Sequence, residues 1–345
     1  MYVASIAPAA DSVPADGLTN YVDPAYSRPF STQDATGDRG AAGLGVDTPA
    51  SAVLGLPVVP LIRALRPRQW TKNGVLFAGV VGVGRLFHAD SFVRAAAGFA
   101  VFCVLSGVVY LVNDLADMER DRAHPRKRLR PIASGELPAR VAAVSAVALS
   151  GAALFGAFLL APAFAAFGAG YVAVMLVYSA GLKHLVLLDV FAIAAGFVIR
   201  AAAGAAVVRA SISPWLLVCA ALLSLFLALA KRRHELLVLG ERAGAYRSTL
   251  NDYSPELLEE LISVVTSSTV VAYSLYTFFG ETVPANHTMM LTIPFVLYAI
   301  FRYLFLIHSP HGGGNPDELL LQDRPLLITI ALWSVTAVGV LYVFR

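Results

Sequence analysis

From about residue 68 onward, runs of about twenty apolar residues recur down the chain, each closed by proline, glycine or a charged residue. Nothing else in the sequence restricts the fold so strongly. A helix of that length matches the ~30 Å hydrocarbon core of a bilayer. Inside lipid, such a helix satisfies every backbone N–H and C=O within its own segment. The expected fold is therefore all-α, a polytopic membrane protein with nine transmembrane helices at about 68–86, 91–119, 138–160, 163–182, 188–209, 213–239, 256–281, 287–307 and 322–344. The stretch "PVVPLIRALRP", 57–67, reads as a short amphipathic helix at the interface, ahead of the first span. Composition agrees: 57% of residues are hydrophobic and 14% charged, against about a quarter charged in a soluble domain. Cys103 and Cys219 both fall inside apolar runs. They form neither a disulfide framework nor a metal-ligand spacing, which leaves them as small core residues.

Residues 1–50 differ in kind. Asp11, Asp16, Asp23, Asp34, Asp38 and Asp47 stand there against Arg28 and Arg39, among scattered Pro, Gly, Ser and Thr. Nothing in that stretch can bury a core, so a disordered cytoplasmic tail is expected ahead of a membrane domain at 57–345. It lacks the basic start and apolar run of a signal peptide.

Basic residues set the orientation. Arg63, Arg66, Arg68 and Lys72 precede or open the first span, and Arg120, Arg122, Arg126, Lys127, Arg128, Arg130 and Arg140 fill the loop after the second. Lys183 follows the fourth, Lys231, Arg232, Arg233, Arg242 and Arg247 mark the end of the sixth, and Arg324 opens the ninth. Only Arg85, Arg94, Arg209 and Arg345 fall on the other side. The N-terminus and these loops are expected in the cytoplasm, and the C-terminus outside. The glycines of "GVVGVGRL", 79–86, resemble a nucleotide loop, but inside an apolar span they mark a close-packing face.

The stretch "NDLADMERD", 113–121, sits where the second span meets the arginine-rich loop. On a helix advancing about 100° per residue, Asn113, Asp114, Asp117 and Asp121 fall within roughly a 100° arc. Two readings are open. The acids end a solvated helix and pair with neighbouring arginines, or their hard oxygens hold Mg²⁺, which usually also takes substrate phosphates. "YSAGLKHLVLLD" adds Tyr178, Lys183 and Asp189 around the turn between the fourth and fifth spans. There a lysine can meet a phosphate, and a carboxylate can meet a metal or a sugar hydroxyl. Lys72 and Asn73 in "RPRQWTKN", Arg126 and Lys127 in "HPRKRLRP", and Tyr246 and Arg247 in "AYRSTLNDY" are further candidate substrate contacts. Most basic residues of these loops need no role beyond orientation. Arg200 in "GFVIRAAAG" and Arg302 in "FRYLF" lie inside spans, where an arginine usually faces a cavity or a partner, and Arg200 joins the candidate substrate contacts.

The Asn113-Asp114-x-x-Asp117-x-x-x-Asp121 pattern on the second of nine spans resembles the first aspartate-rich motif of the UbiA superfamily of intramembrane prenyltransferases. That resemblance, running from about residue 57, implies helices around a central cavity open to the cytoplasm and to lipid. It also implies aspartates that hold Mg²⁺ on a diphosphate. Many members carry a second acidic motif, DxxxD, near the end of the sixth span. Here that place reads "KRRHE", with Lys231 and Arg232 in place of carboxylates and only Glu235 acidic. With "RPRQWTKN" and "GFVIRAAAG", this is similar to the branch that moves phosphoribose from 5-phosphoribosyl 1-diphosphate onto a polyprenyl phosphate for arabinan precursors of the cell wall. The resemblance implies a catalytic role for Asp114, Asp117 and Asp121, and Lys183 and Asp189 from the turn between the fourth and fifth spans are expected to act with them. The alternative within the superfamily is prenyl transfer to an aromatic or quinone precursor, which the basic "KRRHE" disfavours. A transporter would distribute charge through the membrane depth, whereas these charges gather at one face. The sequence shows no Ser-His-Asp or Cys-His constellation. It points to no nucleic-acid partner and leaves homo-oligomerisation open.

Overall fold

The computed structural model describes residues 57–344, apart from 83, 86, 125–126, 241–242, 310–318 and 320–321 and the side chains of Ala245 and Tyr246. The expected tail at 1–50 lies outside the described residues, as does Arg126. Among the described residues all regular structure is helical. The α-helices are α1 (Val58–Ala64), α2 (Leu76–Gly82), α3 (Ala89–Ala116), α4 (Met118–Ala123), α5 (Ala139–Leu160), α6 (Pro162–Ala180), α7 (Leu188–Val207), α8 (Pro214–Leu239), α9 (Ala243–Tyr246), α10 (Pro255–Phe279), α11 (Ile293–His308) and α12 (Arg324–Val343).

Eight helices among the described residues are long and apolar enough to cross a membrane: α3, α5, α6, α7, α8, α10, Thr288–His308 (which contains α11) and α12. They match eight of the nine expected spans to within about three residues. The expected first span, 68–86, does not form such a helix. A 3₁₀ helix at Pro67–Val75 runs directly into the seven-residue α2. The reason lies in composition: Arg68, Gln69, Thr71, Lys72, Asn73 and Gly74 are polar or weak helix formers. The apolar character of the stretch is carried by only the few residues after them. End to end, the nine 3₁₀ and seven α residues reach about 28 Å.

Local chemistry starts and stops these helices. Proline opens α6, α8, α10 and α12, where its missing N–H costs nothing. The side chains of Ser254 and Asp323 accept the backbone N–H of Leu257 and Leu326 at 3.1 and 2.9 Å. Outward faces stay apolar: Val147 is 76% and Phe155 65% exposed, the pattern of side chains that meet lipid.

Helix α7 lies against α2, α6 and α8, and its second half, "RAAAGAAV", is wholly buried. A Cβ on Gly204 would stand 1.9 Å from the Leu76 carbonyl oxygen, and one on Gly79 2.4 Å from the Ala205 nitrogen. The glycines therefore let α2 and α7 touch backbone to backbone, the close packing expected of "GVVGVGRL". Leu76, Phe102, Phe164, Tyr171 and Val207 fill the core around that contact. Arg94 of α3 donates to the carbonyls of Val207 (3.0 Å) and Leu160, the C-terminal ends of α7 and α5.

Candidate functional site

The acidic face forms as its spacing requires, with one bend. Helix α3 stops at Ala116, Asp117 is the joint, and α4 resumes at Met118. The backbone bonds Asp117 N–H to Asn113 O and Asp121 N–H to Asp117 O, both 2.9 Å, carry the helical register across the joint. The carboxylates therefore stay on one side. Asp114 and Asp121 are buried, while Asn113 and Asp117 are half-buried. Asp114 accepts from Arg66 at 2.6 Å and from Arg130 at 3.1 Å, and the same Arg130 nitrogen donates to Asp121 at 2.6 Å. Lys183 stands 3.5 Å from Asp117, with Arg120 at 3.9 Å.

Arg66 reaches Asp114 because its backbone turns into the left-handed region (φ 52°, ψ 64°) between α1 and the 3₁₀ helix, and its guanidinium lies 4.6 Å over the Tyr110 ring. Arg130 arrives on the loop after α4, whose Ile132 and Leu137 bury themselves in the core cluster that also holds Val108 and Leu111 of α3. Lys127 is half-buried on that loop, its backbone N–H on His124 Nδ1.

Asp189, fully buried in the first turn of α7, centres a second cluster. It accepts from Arg232 (2.8 Å) and Arg247 (3.4 Å) on one oxygen and from Tyr253 (3.0 Å) on the other. Arg232 also pairs with Glu235, and Arg247 donates to the Tyr178 hydroxyl at 3.3 Å. Tyr253 accepts the N–H of Leu187 at 2.8 Å, a residue at φ 64° just ahead of α7. Burial, together with donation to the Asp189 carboxylate, pushes the Tyr253 phenol up to about 12, so it stays a donor at neutral pH. The two clusters meet at the 182–184 turn between α6 and α7, which carries Lys183 to Asp117.

A third group lies deeper. Arg200 donates to Asn73 Oδ1 (2.8 Å), the Gly196 carbonyl (3.1 Å) and the Tyr171 hydroxyl (2.8 Å). The Asn73 amide in turn donates to Ser106 at 3.1 Å. Lys72, next to Asn73, is half-buried on the 3₁₀ helix.

The acids thus do pair with basic residues, and Asp114 and Asp121 do so while buried, unlike the acids of a solvated helix end. Among the described residues no three acidic, histidine or cysteine side chains converge as a ready cation cage. Mg²⁺ does not need one, since it usually takes one or two carboxylates and completes its shell with phosphate oxygens and water. Asp114 and Asp121 already hold one cationic nitrogen between them, so their hard oxygens fit a small cation.

Of the residues expected from sequence, the acids, Lys183, Tyr178 and Arg247 lie in the two neighbouring clusters and Arg200 in the deeper group. Arg66, Arg130 and Arg232, which had an orientation role or no assigned one, pair directly with Asp114, Asp121 and Asp189. Tyr253, Tyr171 and Ser106 carried no sequence signal. Arg302 forms a two-bond pair with Asp323 at 3.2 and 2.8 Å.

Residues 74–318 match the UbiA prenyltransferase family. The chain is 39% identical over 300 residues to a decaprenyl-phosphate phosphoribosyltransferase of Mycolicibacterium smegmatis, covering 82% of this chain and 92% of that protein. It is 36% identical over 291 residues to the Corynebacterium glutamicum protein of the same name, covering 82% and 87%. A solved structure of similar fold is a UbiA homolog from Archaeoglobus fulgidus bound to DMAPP and Mg²⁺, with a TM-score of 0.64 at 20% identity over 82% of this chain and 99% of that one.

Proposed function

Because the chain belongs to the UbiA prenyltransferase family, and is thus a polytopic membrane enzyme, we propose that it moves 5-phosphoribose from 5-phosphoribosyl 1-diphosphate to a polyprenyl phosphate such as decaprenyl phosphate, releasing diphosphate. The observation that carries the choice of donor is the Asp189 cluster. Where a second acidic motif would hold metal, this chain sets Arg232 and Arg247 on one buried carboxylate. Such a cationic pair suits a donor with a second, distal phosphate better than it suits an allylic tail.

In this reading the anomeric C–O bond to diphosphate breaks and a C–O bond to the lipid phosphate forms. The nucleophile is already anionic, so no strong general base is needed. Asp114, Asp117 and Asp121, with Asn113, would hold Mg²⁺, which supplies positive charge to the departing diphosphate. Lys183, Arg66 and Arg130 add fixed charge beside it, an electrostatic contribution strongest where water is scarce. Asp189 fixes Arg232 and Arg247 toward the donor, and Tyr178, Lys72 and Lys127 are further substrate contacts in the same reading. The site faces the cytoplasm of a bacterial plasma membrane, and the helices enclose a cavity reached from both cytoplasm and lipid. Products feed cell-wall arabinan.

Purified protein given radiolabelled phosphoribosyl diphosphate, Mg²⁺ and a polyprenyl phosphate should move label into the organic phase. Prenyl transfer from geranyl diphosphate to 4-hydroxybenzoate, with no phosphoribosyl transfer, would replace the proposal with its prenyl-transferring alternative.

A further inference from the structure

Helix α1 packs with only part of its circumference. At about 100° per residue, Leu61, Ala64 and Leu65 fall within one arc of roughly 100°. Leu61 and Ala64 join Val108 and Leu111 of α3 in one core cluster. Leu65 seats over Gly107, where a Cβ would stand 2.9 Å from its Cδ2. Val58, Val59 and Ile62 occupy the next arc and stay open, at 54%, 68% and 47% exposure. Leu129 is open too, on the loop that α1 touches through Ile132, Leu137 and the Arg63–Glu136 pair.

The depth of this apolar strip follows from α3. Its 28 residues reach about 42 Å, well beyond a ~30 Å hydrocarbon core. The far end is marked by the exposed His88 and Asp90. Counted from Ala89, about 20 residues fill the core, which ends near Val108. Helix α1 packs at that level, so its open face lies at the boundary between acyl chains and headgroups. The charge beside it is basic. Arg63 and Arg68 flank α1 along the chain and Arg128 precedes Leu129, all three exposed, while Glu136 is already paired with Arg63. Apolar side chains at that depth with arginines around them match a leaflet of anionic lipid, whose chains take Val59 and Ile62 and whose headgroups take the guanidiniums. Arg66 follows α1 directly, and its left-handed turn brings the guanidinium to Asp114 at 2.6 Å.

We infer that α1, with Leu129, is a docking surface for anionic lipid of the adjoining leaflet, and that its seating there holds Arg66 on Asp114. The docking stands apart from the activity proposed above. Its effect on ligand binding rests on that reading of the acidic site.

The test uses the full chain, one copy per nanodisc, with a fluorophore on Val59→Cys in a background lacking Cys103 and Cys219. Discs of phosphatidylcholine are compared with discs that also hold phosphatidylglycerol. Doxyl groups high on the acyl chains should quench the label, more strongly with phosphatidylglycerol, and aqueous iodide should not. Arg68→Gln with Arg128→Gln should erase the difference between the discs and leave the melting temperature in detergent unchanged, since both side chains are exposed. Quenching by iodide instead of doxyl lipid overturns the docking. A label shielded from both quenchers until residues 1–50 are deleted overturns it as well, giving the face to that segment. Equal doxyl quenching in both discs overturns the anionic assignment. For the link to Asp114, Val59→Ser with Ile62→Ser should weaken binding of Mg²⁺ with inorganic diphosphate at least ~5-fold, the scale of a partly lost charge-assisted hydrogen bond. In an Arg66→Gln background the two serines should cost nothing further, and a full additional loss overturns the link. Diphosphate that binds in no disc counts against the acidic-site reading, and the label then decides the docking by itself.

Discussion

Asp114 and Asp117 stand three residues apart and belong to different environments. Asp114 is buried against two guanidiniums, whereas Asp117 is half-exposed and meets Lys183 at 3.5 Å. Replacing either with Asn should cost at least ~10² in turnover if they act on the diphosphate. Only Asp114→Asn and Asp121→Asn should also lower the melting temperature, because each leaves Arg130 short of a counter-charge. Equal melting temperatures with near-normal activity across Asp114→Asn, Asp117→Asn and Asp121→Asn would remove these residues from the mechanism. Asp189→Ala is the harsher change. It leaves the buried Arg232 with Glu235 alone and releases Arg247 as well, and breaking such a buried pair costs up to about 3–5 kcal/mol. Lys183→Ala, at a half-buried position, should lose turnover on the ~10²-fold scale without that structural loss. Thermal melts beside initial rates separate the two. The acids were legible because a face at helical spacing is a local property. Their partners were not, since Arg66 reaches Asp114 only through a left-handed turn and Arg130 only through the path of a loop.

Two helix contacts fix the frame around the site. The backbone approach of α2 to α7 predicts that Gly204→Ala fails to accumulate as folded protein, whereas Gly82→Ala, with nothing within 4 Å of its new carbon, is tolerated. Size-exclusion profiles of the two variants decide it. At the other side, Arg302 of α11 holds Asp323, which also caps α12. The Arg302 guanidinium, then the Leu326 N–H, hold the Asp323 carboxyl below its usual range. A depressed folded pKa gives stability that is whole above the unfolded value of about 3.9 and is lost as pH falls through the lower folded value. The melting-temperature gap between wild type and Asp323→Asn should therefore be flat from pH 7 to about 5 and close only in stronger acid. A gap that closes by pH 6 contradicts the pairing. The span boundaries were legible to about three residues because hydropathy, proline and serine caps are written locally. The stretch 68–86 was not, because a hydropathy window cannot register that its first half is polar enough to take a 3₁₀ path.

Across the whole molecule the charge asymmetry predicts which face sees the cytoplasm. Ser134 is exposed on the loop between α4 and α5. Ser134→Cys, in a background lacking Cys103 and Cys219, should react with a membrane-impermeant thiol reagent in inverted vesicles and stay silent in intact cells. The opposite pattern would put the aspartates on the outer face. Arg130, held between Asp114 and Asp121, bears on the thermodynamics of loading. The acids and guanidiniums already neutralise one another, so on the proposed reading cargo would enter by exchange of partners rather than by filling an attractive field. On the proposed reading, each carboxylate that gives up an arginine would gain magnesium, and each arginine so released would gain a phosphate oxygen. Taken together, metal and diphosphate conserve the number of ion pairs. Either one alone strands a charge. Titration calorimetry should accordingly find weak binding of Mg²⁺ alone and of diphosphate alone, with strong mutual enhancement when both are present, which makes the donor-metal complex, rather than either component, the true titrant of the site.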